Sequence, residues 1–280
     1  MGAAPTVSGD EVLVLLFSVG VGGAGLLYWY RPILLSPIVE RVARERLALI
    51  ATPPIALALI FAVIVTAGSY DVRGDPRYLL LYTVLGAVWI FVASQIMHGF
   101  NISFRDDALE RRNPAAVIVV VCAMLAHAAI YAGANIGDGP GWWCVVAAAL
   151  IGSAAWFLMW ALVAACCSAS EEISVERDVP SAIRFGGYML AMGLICARGS
   201  AGDWTSLEQT FIEFQAAWPV LPLTLAVIVL ELVLRRRPRN ARPQVTASIY
   251  LACAYLAVAV IAVQQSEPLP NNPQYDRLAP

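Results

Sequence analysis

The 280-residue chain is 60% apolar and 14% charged, with a mean hydropathy of +0.71. Soluble domains hold about 45–50% apolar and about 25% charged residues, so both a soluble globular enzyme and a disordered chain are excluded, and the composition is that of an integral membrane protein. The net charge of −2 gives no bulk attraction for nucleic acid.

Eight apolar stretches are long enough to cross a bilayer, at about 20 residues each: 12–34, 47–68, 78–99, 115–136, 142–166, 180–198, 210–234 and 245–264. Continuous apolar runs exclude barrel strands, which alternate, and in lipid each run must satisfy its own backbone bonds as a helix. The sixth is the shortest. The expected fold is therefore all-α, a polytopic transmembrane bundle forming a single domain over 1–280.

In the first span Gly20, Gly22 and Gly25 spell G-x-G-x-x-G. Without a preceding strand this is not a dinucleotide fingerprint, and the glycines instead suit close helix packing. Tyr28, Trp29 and Tyr30 end that span and Trp142 and Trp143 begin the fifth, as interfacial aromatic belts do. Pro53 and Pro54 are expected to kink the second span. Arginines cluster after spans 1, 3 and 7 and at the start of span 6, 14 on that side against Arg73, Arg77, Arg198 and Arg277 on the other. The positive-inside rule then places both termini outside, with 265–280 as an outside tail. Basic residues follow the first span, so it reads as a retained anchor and not as a cleaved signal.

Short outer and longer inner loops group the spans as four hairpins, about 12–68, 78–136, 142–198 and 210–264. The inner loops of the middle two look alike. One carries Asp106, Asp107, Glu110-Arg111 and Asn113-Pro114; the other carries Glu171, Glu172, Glu176-Arg177 and Val179-Pro180. Aligned on Pro114 and Pro180 the spacing is 66 residues. Asn113 is a good helix cap, and Val179 is not. Repeated parallel hairpins are the expected organisation.

The stretches Pro-Ser-Ala-Ile-Arg-Phe-Gly-Gly-Tyr-Met-Leu-Ala-Met-Gly-Leu-Ile at 180–195 and Asn-Pro-Ala-Ala-Val-Ile at 113–118 resemble the YjfL-type family of uncharacterised bacterial inner-membrane proteins. The resemblance runs over about 100–198. It departs at 114–130, where Val, Cys and Ala replace the family's glycines. It implies a multi-pass inner-membrane location and no established activity. Some relatives are associated with membrane-stress proteins and polyamine-related ligases, which implies a partner role.

Ionisable groups at membrane depth are costly and often functional, and five polar residues form the candidate intramembrane site. His127 lies about 20 Å past Pro114 at 1.5 Å per residue. It is either functional or a neutral imidazole bonded to a neighbouring helix. His98, the other histidine, lies at a different depth, which separates the two as ligands of one haem. Glu213 and Gln215 precede Trp218, Pro219 and Pro222, which break or kink span 7. Arg184 either snorkels to the headgroups, the favoured reading, or binds a phosphate or pairs with Glu231. Asp106, Asp107, Glu110, Glu171, Glu172 and Glu176 form a candidate acidic rim on the cytoplasmic face, attractive to Mg²⁺, polyamines or a basic partner.

Arg235–Arg242 set topology and touch anionic lipid. The six cysteines show no CxxC pair; Cys166 and Cys167 read as packing residues, and a Cys144–Cys196 disulfide stays open. No hydrolase, metalloprotease or P-loop motif is present. These residues lead to the expectation of a non-enzymatic membrane module without cofactor. Its expected partners are the lipid bilayer, a cytoplasmic or envelope protein and further copies of itself. An ion or small-solute conduit is the alternative.

Overall fold

The computed structural model describes residues 8–35, 43–137, 139–203, 206–238 and 241–269, and among them every regular element is helical. The helices are α1 (Gly9–Leu35), α2 (Ala43–Ala67), the short α3 (Tyr70–Arg73), α4 (Pro76–Ile96), α5 (Pro114–Gly133), α6 (Trp142–Cys167), the short α7 (Ala169–Ser174), α8 (Val179–Ser200), α9 (Leu207–Phe214), α10 (Val220–Arg235) and α11 (Val245–Gln265). With α9 and α10 counted as one segment, eight helices are long and apolar enough to cross a membrane. All eight expected spans are there. Arg41, Arg239, Arg277 and residues 270–280 of the expected tail lie outside the described residues.

The most extensive contacts do not join the two arms of each expected hairpin, although α4 packs on α5 and α6 on α8. α5 packs most extensively on α8, α8 on α11, α2 on α5 and α1 on α4, whereas α10 and α11 make almost no contact with each other. The first three contacts form one row, in the order α2, α5, α8, α11. Within it α5 and α8 run parallel: Cys122 meets Gly186, Ala126 meets Gly193 and Gly133 meets Ala197. Here the absent side chains matter. A Cβ on Gly193 would stand 2.6 Å from the Ala126 Cβ, and one on Gly133 would strike the Ala197 carbonyl. Small residues permit such approach, which matters in lipid because apolar contact alone gives helices little reason to associate. On α8, Gly186 faces α5 and the adjacent Gly187 faces Ala252 of α11. On α1, Gly22 and Gly25 pack against Ala87 and Phe91 of α4, while nothing lies within 4 Å of a Cβ built on Gly20.

Prolines inside helices release carbonyls four residues back. Pro53 and Pro54 release those of Leu49 and Ile50, yet α2 runs unbroken past them. Trp29 Nε1 of α1 donates to the Leu49 carbonyl at 2.9 Å and Tyr30 Oη donates to that of Ile50 at 3.0 Å. Two aromatics read from sequence as interfacial belt residues thus repair the backbone that the prolines interrupt. Trp29 also stacks on Phe104, with ring centroids 3.8 Å apart. The expected break in span 7 is present: α9 ends at Phe214, a 3₁₀ turn spans Gln215–Ala217, and α10 resumes at Val220.

The N-termini of the central helices are capped by side chains. Asp75 caps α4, and its bonds from Arg77 hold the carboxyl below the usual carboxylate range. Asn113 Oδ1 accepts from the Ala115 and Ala116 amides at 3.0 and 3.3 Å. For α8 the cap is Asp178, accepting from the Ser181 amide at 2.8 Å. Val179 is the first helical residue and Pro180 the second, which corrects the alignment on the two prolines.

The preceding loops share a backbone plan at a spacing of 65. The amides of Asn113 and Asp178 donate to the carbonyls of Asp107 and Glu172, both at 3.0 Å. Arg112 and Arg177, just before the caps, are both left-handed, with φ of 51° and 56°.

Candidate functional site

The loops before α5 and α8 lie at one end of the bundle, joined by Asn113, whose Nδ2 donates to the Ile173 carbonyl at 2.7 Å. This end also holds the starts of α2 and α11 and the ends of α4, α6 and α10. It is the arginine-rich end. Of the six acidic residues expected as its rim, Asp107 and Glu172 are buried and Glu110 is paired. Asp107 is buried, accepting from the Ser103 amide at 2.9 Å and from Arg111 at 3.0 Å. Glu172 is buried and accepts from Arg235 Nε at 2.8 Å and Arg242 Nη1 at 3.4 Å. Glu110 is exposed but pairs with Arg105 at 3.0 Å, which pushes the Arg105 guanidinium pKa up. Asp106, Glu171 and Glu176 are exposed. Arginines read as topology determinants are therefore also partners of the carboxylates.

Deeper at this end lies a buried ion pair. Arg184, 3% exposed, donates from Nε and Nη2 to the two Glu231 oxygens at 2.7 and 2.8 Å. It also reaches Ser248 Oγ at 3.1 Å and Ser181 Oγ at 3.0 Å. Three helices, α8, α10 and α11, meet on this one guanidinium. The favoured expectation of snorkelling is corrected, because the arginine turns inward where a planar fork finds a two-oxygen acceptor. Two charges desolvated together offset much of each other's cost, while either one alone would be expensive. The hydroxyls of Tyr188 and Thr224 continue the polar contacts between α8 and α10, 2.8 Å apart.

At mid-depth, His127 is fully buried. Its Nδ1 lies 2.9 Å from the Ala123 carbonyl of its own helix, not of a neighbouring one. A carbonyl only accepts, so Nδ1 carries the proton. Nε2 has no partner. The ring sits against Trp156 and Phe157, with centroids 4.5 and 4.6 Å away. Aromatic packing seals it from the other candidate residues. His98 is at the arginine-rich end, beyond the end of α4, with Nδ1 3.0 Å from the Gln95 carbonyl.

Glu213 and Gln215 are at the opposite end, beside a cleft of about 960 Å³ between the end of α8, α9 and the end of α11. Glu213 Oε1 accepts from Gln209 at 3.0 Å, and its Oε2 is buried without a partner. The five candidate intramembrane residues thus separate into three places: the Arg184–Glu231 pair, the sealed His127, and the Glu213–Gln215 cleft. Sequence reasoning missed Ser248, whose short hydroxyl carries no pattern of its own, and Arg198, which read only as one of the few arginines on its side. Arg198 binds Ser266 Oγ at 3.0 Å. Cys144 and Cys196 are both buried free thiols, so no disulfide joins them.

Residues 71–200 match a family model described as Domain of Unknown Function (DUF350). The match spans a little under half the chain, from α3 to the end of α8, and so takes in the α5–α8 pair and both capped loops. No curated protein and no solved structure matches the chain.

Proposed function

We propose that the chain is a multi-pass module of the YjfL type in a bacterial inner (plasma) membrane, acting by binding partners and not by converting a substrate, in membrane or envelope homeostasis. Four repeated hairpins build it, with the arginine-rich end in the cytoplasm and both termini outside. The shared 65-residue spacing of the two loop backbones supports the repeat of the middle pair. Its partners are the lipid bilayer, a cytoplasmic or envelope protein, and further copies of the chain. No residue is given a catalytic role and no cofactor is invoked.

One observation carries this reading: Arg184 and Glu231, the charges most deeply placed at the arginine-rich end, are spent on each other. Locked pairs stabilise and orient helices, whereas a permeation path needs groups that exchange partners with water or solute. Exposed Asp106 and Glu171 then offer a docking surface on the loops. Photo-crosslinkers placed at these two positions in native membranes are expected to give one discrete adduct. Proteoliposomes of the purified protein are expected to pass protons and cations no faster than empty liposomes.

A second reading, an ion or small-solute conduit, draws on the open cleft beside Glu213. Flux above that of empty liposomes, falling in Glu213→Gln, would replace the first reading with this one.

A further inference from the structure

The cleft at the arginine-poor end has a chemistry that the binding-module reading does not use. Asp203, Glu213, Glu267 and Arg198 line it, and Glu213 and Glu267 alone set two carboxylates against one guanidinium. Among the described residues that line it Arg198 is the one cation, and its hydrogen bonds go elsewhere. Arg198 donates to Ser266 Oγ at 3.0 Å, to the Ala201 carbonyl at 3.2 Å and to the Glu267 carbonyl at 2.6 Å. Its guanidinium thereby ties the end of α8 to the segment after α11 and forms no ion pair with Glu213. Glu213 has one oxygen supplied by Gln209 and the other buried without a donor. Oε2 lies against Gly202, so a cation in the cleft would meet the charge of the carboxylate and not this oxygen directly.

The facing wall is apolar. Trp218, Val258 and Ile261 line the cleft and are 66%, 49% and 51% exposed. Because α10 and α11 make almost no contact, this wall opens sideways, where lipid would lie. A volume of about 960 Å³ is at the upper end of the roughly 300–1,000 Å³ range of small-molecule sites.

We propose that this cleft binds an amphipathic organic cation, its positive centre against Glu213 and its apolar body between Trp218 and α11. The exposed indole adds a face that attracts cations. An organic anion would meet the excess of carboxylates, and a bare inorganic cation would leave the apolar wall unused. The proposal goes beyond the binding-module reading and does not depend on it, since binding here requires neither a protein partner nor transport.

The test uses the full-length protein in detergent, with tetraphenylphosphonium as the probe and tetraphenylborate as its counterpart of like shape and opposite charge. Equilibrium dialysis of each probe by itself is expected to give saturable binding of one tetraphenylphosphonium per chain and no saturable binding of tetraphenylborate. Glu213→Gln is expected to weaken binding by about tenfold or more. Val258→Trp, which fills the apolar side without touching a charge, is expected to abolish it while circular dichroism and gel filtration stay unchanged. Equal binding of the two probes overturns the proposal, as does full affinity in both variants. If Glu213→Gln does not fold, the Val258→Trp result decides alone.

Discussion

The two central helices and the two outermost ones differ in burial, and one central helix, α8, differs also in how few apolar residues it carries. α5 and α8 are buried over 72% of their most apolar stretch, α1 and α11 over 22%. Yet α8 has the lowest hydropathy of the eight spans, 1.3, and α1 and α11 have 2.0 and 2.1. In water this ordering would be inverted. In a bilayer the outer helices must be apolar because lipid surrounds them. A helix held between two others can carry Gly186, Gly187, Gly193 and Arg184, because protein atoms receive them. The equally buried α5 keeps a hydropathy of 2.3, so burial permits polar and small residues in α8 without requiring them.

The sharpest way to break that comparison is to remove the partner that lets α8 hold a charge. Arg184→Ala leaves the Glu231 carboxylate uncompensated, and a loss of about 3–5 kcal/mol is expected. Thermal unfolding in detergent checks it, with the paired replacement Arg184→Met and Glu231→Leu recovering most of the loss. An unchanged Tm in the single variant would remove the pair from the account of stability.

Glycines give the next contrast. Gly193→Leu must force α5 and α8 apart and is expected to cost about 1–3 kcal/mol. Gly20→Leu on α1, with nothing within 4 Å, is expected to stay within about 0.5 kcal/mol of the original. Equal effects at the two sites would mean that the close α5–α8 approach is not required.

The two capped loops provide a smaller, paired effect. Asp178→Ala removes a cap alone, for about 1 kcal/mol. Asn113→Ala removes a cap and the bond to the Ile173 carbonyl, for about 2 kcal/mol. Hydrogen exchange at the starts of α5 and α8 separates them, because only the Asn113 change should loosen both loops. Equal to the Asp178 change is Trp29→Phe, which keeps the ring against Phe104 but abandons the Leu49 carbonyl, at about 1 kcal/mol. The local opening it causes should appear at the amides flanking Pro53 and Pro54 and nowhere in α8.

Much of the architecture was legible in the chain alone. The eight spans, the break before α10, the cap at Asn113 and the apolar character of the whole follow from local rules, since lipid forces long apolar runs into helices one at a time. The same locality explains the misreadings. Arg184 looked like a snorkelling residue because its acceptor, Glu231, lies 47 positions away. Trp29 and Tyr30 looked like belt residues because the carbonyls they repair belong to another helix. Glu172 looked like part of an open rim because its arginines arrive from α10 and from the segment leading into α11. Pairing across helices depends on which faces meet at Gly133 and Gly193. Only the tertiary structure decided that, because small residues permit close approach without naming the partner. It also decided that His127, Arg184 and Glu213 belong to three separate places, which linear spacing within single spans does not encode.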